Sequence, residues 1–169
     1  MGKNKTRLVV VTALFTAITA VCTALISVPM PPFGYVHFGD AVIMLAAALL
    51  PTPFAAFVGA VGGAMGDVIT GYYIYVPFTL VVKFLVSLCF SNKNEKMLCK
   101  RNIIGIPFMA VATIGGYYIT DVILSKSFVA PAASVLGNVV QVVGSSVIFL
   151  IFAFALDRFN FKSKLGKML

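Results

Sequence analysis

Charged side chains come in clusters along this chain of 169 residues, and between the clusters run six apolar stretches, at about 8–28, 38–51, 53–71, 76–91, 103–124 and 131–156. Apolar runs of about 18 residues or more predict helices that cross a bilayer. The pattern therefore predicts an all-α membrane protein, a six-transmembrane-helix bundle in a single integral membrane domain covering residues 1–169. The second stretch is short, about 20 Å of helix at ~1.5 Å per residue. It either spans with help from its neighbours or forms a re-entrant element. Pro51-Thr52-Pro53 predicts a tight turn into the third stretch.

Polar positions inside the apolar stretches are few, and charges within a bilayer usually mark ligand or ion sites. Asp40, Asp67, Lys83 and Asp121, with Asn138 and Gln141, all count to the same half of the bundle. Helical spacing groups them with other residues. Gly59, Gly63 and Asp67 repeat at i, i+4, i+8, as do Thr79, Lys83 and Ser87, and Thr113, Tyr117 and Asp121. Ser134, Asn138, Gln141 and Ser145 form a fourth stripe. Four helices thus point polar faces inward at matching depth, which predicts a pocket open to the outer side.

Composition sharpens the membrane reading. Hydrophobic residues make up 60% of the chain and charged residues 11%, against about a quarter charged in soluble domains. The net charge of +8 sits in clusters at Lys3, Lys5 and Arg7, at Lys93, Lys96, Lys100 and Arg101, and at Arg158, Lys162, Lys164 and Lys167. This is positive-inside patterning, and it argues against a nucleic-acid partner. Six crossings put both termini on the cytoplasmic side together with eleven of the thirteen Lys and Arg residues; Lys126 falls outside and Lys83 within a span. The expected location is a bacterial plasma membrane, crossed several times. MGKNKT fits the loose myristoylation pattern, but several spans need no lipid anchor, and residues 8–28 read as a retained span. Cys22, Cys89 and Cys99 lack metal-ligand spacing, so neither a metal nor a cofactor is expected.

Each candidate has a plain structural reading beside the functional one. Asp67 and Lys83 read as a mutually neutralising pair or as ligand contacts. Asp40 reads as an N-cap of the second helix, and Asp121 as a hydrated interfacial carboxylate or a site residue. Asn138 and Gln141, one turn apart, form the most ligand-like pair, because two amides read both donors and acceptors. The six tyrosines all fall on the outer side. Some belong to an interfacial belt; others, Tyr75 and Tyr117 among them, are placed to stack on a planar ring. His37 reads as an exposed loop residue at the mouth. Ala13, Ala17, Ala20 and Ala24 form a small-residue seam, for packing inside the bundle or for docking another protein.

The runs "VHFGDAVIMLAAALL" and "GAVGGAMGDVITGYYIYVPFTLVVKFL" resemble the substrate-binding S components of energy-coupling factor (ECF) vitamin transporters, the riboflavin type in particular. The similarity extends from the first span to the sixth, and is strongest at Gly39-Asp40, Gly66-Asp67 and Pro77-Phe78-Thr79 to Lys83. It implies a six-helix subunit that captures a vitamin outside, in a pocket of outer loops and helices four to six. It also implies that Ala13 and Ala17 dock on a membrane coupling (T) protein and that two cytoplasmic ATPases drive import as the subunit topples. The sequence has no GxxxxGK[ST] nucleotide motif of its own. The polar stripes and tyrosines make Asn138, Gln141, Lys83, Asp67, Asp40, Tyr75, Tyr117 and Asp121 the expected substrate-binding residues, with loop 29–39 as a cover and riboflavin as the leading ligand. The rival functions are an autonomous secondary transporter and a membrane-embedded enzyme. The enzyme lacks a nucleophile with a matched base, and the secondary transporter lacks a clear inverted repeat.

Overall fold

The structure, a computed structural model, describes residues 3–29 and 35–168. Its helices are α1 (Lys3–Leu25), α2 (Gly39–Leu49), α3 (Thr52–Thr70), α4 (Val76–Leu88), α5 (Lys100–Ser125), α6 (Ala132–Arg158) and α7 (Phe161–Met168). A hairpin of β1 (Ser27–Pro29) and β2 (Tyr35–His37) joins α1 to α2, pairing Ser27 with His37 and Pro29 with Tyr35. The centre of the expected loop cover, residues 30–34, lies outside the described residues. Residues 27–28, assigned to the first span from sequence, belong to the hairpin instead.

Among the described residues, four helices are long and apolar enough to cross a membrane: Lys5–Leu25, Thr52–Thr70, Lys100–Ser125 and Ala132–Arg158. Their outer faces are apolar. Val10, Leu14, Phe108, Val111, Val140, Ile151 and Phe154 are all exposed, far more apolar surface than a soluble monomer presents. The protein is an all-α membrane protein. The other two apolar helices are shorter. At 11 residues, α2 is about 16 Å long, half of a ~30 Å hydrocarbon core. It is buried on nearly every side: Ile43, Met44, Ala46 and Ala48 are at 0% exposure. Its surroundings are protein, so its sequence reads as uniformly apolar rather than amphipathic.

Glycines on α3 set the packing of this layer. A β-carbon at Gly62 would lie 2.8 Å from Thr19 of α1, and one at Gly66 would overlap Thr23. On the other side, a β-carbon at Gly59 would lie 2.6 Å from the Lys83 carbonyl oxygen of α4. Two interleaved small-xxx-small pairs thus let α3 approach both neighbours closely. The face that α1 offers is built from threonines, not alanines. Thr12, Thr16, Thr19 and Thr23 are buried. The hydroxyls of Thr12, Thr16 and Thr19 donate to carbonyls one turn back, at 2.7–2.9 Å, which removes the cost of burying them. Ala20 is buried and Ala24 half-buried, whereas Ala13 and Ala17 are exposed.

At the basic end, Asn102 and Asp157 hold the α4–α5 loop. The Asn102 amide bonds the backbone of Ser91 and Met97, and the Asp157 carboxylate accepts the Met97 and Leu98 N–H groups at 2.8 and 2.9 Å.

Candidate ligand pocket

The opposite end of the bundle gathers the hairpin, the end of α3, the turn before α4, the end of α5 and the start of α6 around one cleft. Tyr35, Val36 and His37 line it from β2, Asp67 from α3, and Tyr75 from the turn before α4. Tyr117 and Asp121 line it from α5, and Ser134, Gly137, Asn138 and Gln141 from α6. Including its open mouth the cleft holds about 450 Å³, but the enclosed room is only about 30 Å³, space for a water or two.

Local structure explains why these side chains converge. α3 stops at Gly71, whose φ of 83° ends the helix as a left-handed cap, a conformation glycine adopts without strain. The Tyr72 N–H then closes on the Asp67 carbonyl at 2.8 Å, which leaves the Asp67 side chain at the cleft wall. The chain re-enters the bundle through a 3-10 turn, Tyr73–Tyr75, which brings Tyr75 to the same wall. Tyr35, Tyr72 and Tyr75 form a run of rings, with centroids 4.7 and 6.0 Å apart.

Beneath the cleft lies a buried polar floor. The Lys83 Nζ sits 2.6 Å from Asp40 Oδ1, both side chains at 0% exposure, and 5.0 Å from the centre of the Tyr117 ring. The expected Lys83–Asp67 pair is therefore not formed: the lysine stem passes the open face of Gly63 and its amine ends at α2. Asp40 is not the N-cap of α2 either. Phe38 holds the cap position, and Asp40, in the first turn, gives its other oxygen to the Gln141 Nε2 donor at 2.8 Å.

Gln141 is committed at both ends, since its Oε1 accepts the His37 backbone N–H at 3.2 Å. It ties the hairpin to the ion pair and is not a free reader of ligand. His37 is not exposed at the mouth but 4% exposed, and its Nδ1 accepts the Gly39 N–H at 3.2 Å. Burial first, then the Lys83 charge, push its imidazole down to about 3, so the ring is neutral at physiological pH. Asp121 is likewise buried rather than hydrated, and accepts the Tyr75 hydroxyl at 2.8 Å and the Ser134 hydroxyl at 2.6 Å.

Asn138 and Asp67 each keep a polar group of the wall uncommitted among the described residues. Asn138 is half-buried with no side-chain hydrogen bond. Asp67 accepts the Tyr35 hydroxyl on Oδ1 at 2.6 Å, while its buried Oδ2 has no hydrogen-bond partner. Of the sequence candidates, Asp67, Tyr75, Tyr117, Asp121, Asn138 and Gln141 line the cleft, and Asp40 and Lys83 lie under it. Tyr35 and His37 were not among them, although their i, i+2 spacing is that of one strand face.

Fold and cleft define a polytopic helical membrane protein with a polar, tyrosine-rimmed pocket closed at its inner end. The chain belongs to the ECF-type riboflavin transporter, S component family, which it matches over residues 3–158, and it is thus of the substrate-binding-subunit class. It is also 47% identical over 64 residues to an uncharacterized protein in the gap 3'region of Pyrococcus woesei. That match covers 37% of this chain and 43% of the relative, less than half the length of either.

Proposed function

We propose that this chain captures riboflavin at the outer face of a plasma membrane, as the substrate-binding subunit of an ATP-driven importer. The observation that carries the reading is the convergence of β2, α3, the turn before α4, α5 and α6 on one cleft whose wall combines four tyrosine or histidine rings with an uncommitted amide, Asn138. Tyr35, Tyr75 and Tyr117 suit a planar ring system, and Asn138 suits its polar edge. In this proposal α1 to α6 make six crossings, with α2 and α4 supported by their neighbours, and both termini are cytoplasmic. That orientation puts the basic end, Lys93 to Arg101 and Arg158 to Lys164, on the inside. Ala13 and Ala17, exposed on α1, offer a close-approach surface to a membrane coupling protein, which links the subunit to two ATPases.

A flavin does not fit in about 30 Å³, so Tyr35, Tyr72 and Tyr75 move apart when it binds. The direct test is native mass spectrometry of protein purified from riboflavin-supplemented cells, with a fluorescence titration of the stripped protein. One flavin per chain and saturable quenching at submicromolar riboflavin are expected. A protein that purifies empty and leaves riboflavin fluorescence unchanged at micromolar concentrations defeats the assignment.

A further inference from the structure

The cleft carries an unbalanced charge. Its titratable lining residues are the carboxylates Asp67 and Asp121, the hydroxyls Tyr35, Tyr75 and Tyr117, and the neutral His37; no Lys or Arg lines it among the described residues. The cation beneath, Lys83, is fully buried and bound to Asp40. Asp121 has a hydroxyl on each oxygen, but Asp67 has one on Oδ1 only. Asp67 lines the cleft, and its Oδ2 is buried and lacks a hydrogen-bond partner. The Thr79 hydroxyl, 3.2 Å from the Tyr117 hydroxyl, makes no hydrogen bond to Oδ2.

A buried carboxylate oxygen without a donor is a costly arrangement. A bound ligand relieves it by presenting a donor. A ligand acceptor or anion at the same place makes it worse, because like charges repel strongly where water is excluded.

We propose that Asp67 Oδ2 is the recognition atom of the pocket, that it accepts a hydrogen bond from a donor on an uncharged or cationic ring compound, and that the pocket thereby rejects anionic ligands at this position. The proposal rests on the reading of the cleft as the ligand site. It assigns Asp67 a role in selectivity, distinct from the positioning roles of Gln141 and Asp40.

Three probes test it on the full-length protein in detergent: riboflavin, its N3-methyl derivative, which loses the ring N–H donor, and riboflavin 5'-phosphate, which gains an anion. At least one of the two modified flavins should bind about thirtyfold or more worse than riboflavin. In Asp67→Asn, that ratio should shrink at least about fivefold while the melting temperature of the empty protein holds. If both modified flavins bind within threefold of riboflavin, or if the ratios are unchanged in Asp67→Asn, the proposal is wrong.

The failure of riboflavin itself is distinguishable. Thiamine, a cation with an amino donor, is titrated alongside. Thiamine binding lost in Asp67→Asn, with no flavin binding, retains the charge rule and discards riboflavin. If none of the four compounds binds a folded wild-type protein, the charge rule falls as well.

Discussion

On α6 the Asn138 amide is held by no hydrogen bond among the described residues, whereas Gln141, three residues on, is bonded through both its oxygen and its nitrogen. Asn138→Ala therefore removes nothing from the empty protein. It should weaken riboflavin binding by about ten- to a hundredfold with an unchanged melting temperature; wild-type affinity would move the contact elsewhere on the wall. Lys83→Ala has the opposite profile, because it strands Asp40 at 0% exposure. Breaking a buried pair costs about 3–5 kcal/mol, so the empty protein should melt well below wild type. Adding Asn at position 40 to that variant should recover much of the loss, since the uncompensated charge is gone. A Lys83→Ala protein as stable as wild type would show that the pair contributes little. Sequence made these residues conspicuous because polar groups in apolar runs are rare. It could not pair them, because Asp40 and Gln141 are 101 positions apart and helical spacing orders residues only along one helix.

Among the elements, α1 displays two faces with separate uses. Its threonine face meets Gly62 and Gly66 of α3, and its alanine face at Ala13 and Ala17 is exposed. The alanine face was legible in the sequence as a seam, but which way it faced was not. The threonine face was missed because Thr reads as polar in a pattern search, although each of three hydroxyls is satisfied within its own helix. The two faces predict two phenotypes. Gly66→Val drives a side chain into Thr23 and should separate α1 from α3, lowering the yield of folded protein and abolishing ligand binding. Ala17→Trp adds bulk on the free side and should leave binding and melting temperature within error while preventing copurification with a membrane coupling protein. Loss of binding in Ala17→Trp would mean that this face packs inside the bundle. The span boundaries of the long helices were readable to within a few residues. The hairpin was not, since three-residue strands are too short to carry a periodic signal.

At the scale of the whole molecule, the described residues place the cleft at one end of the bundle. Below the Asp40–Lys83 pair the space between helices is filled by Ile43, Met44, Val58, Val86, Met109 and Phe149, each at 0% exposure. A core packed at this density does not part to pass a vitamin without losing its contacts. In the proposed reading, a ligand in this cleft crosses only when partners that hydrolyse ATP do work on the whole subunit. The chain reconstituted alone in proteoliposomes should bind riboflavin on one face and accumulate none, under a proton gradient, a sodium gradient or external ATP. Adding a coupling protein with its ATPases should produce uptake that depends on ATP at the basic end. Gradient-driven accumulation by the lone chain would require a path through the packed core, and would make the protein a carrier in its own right.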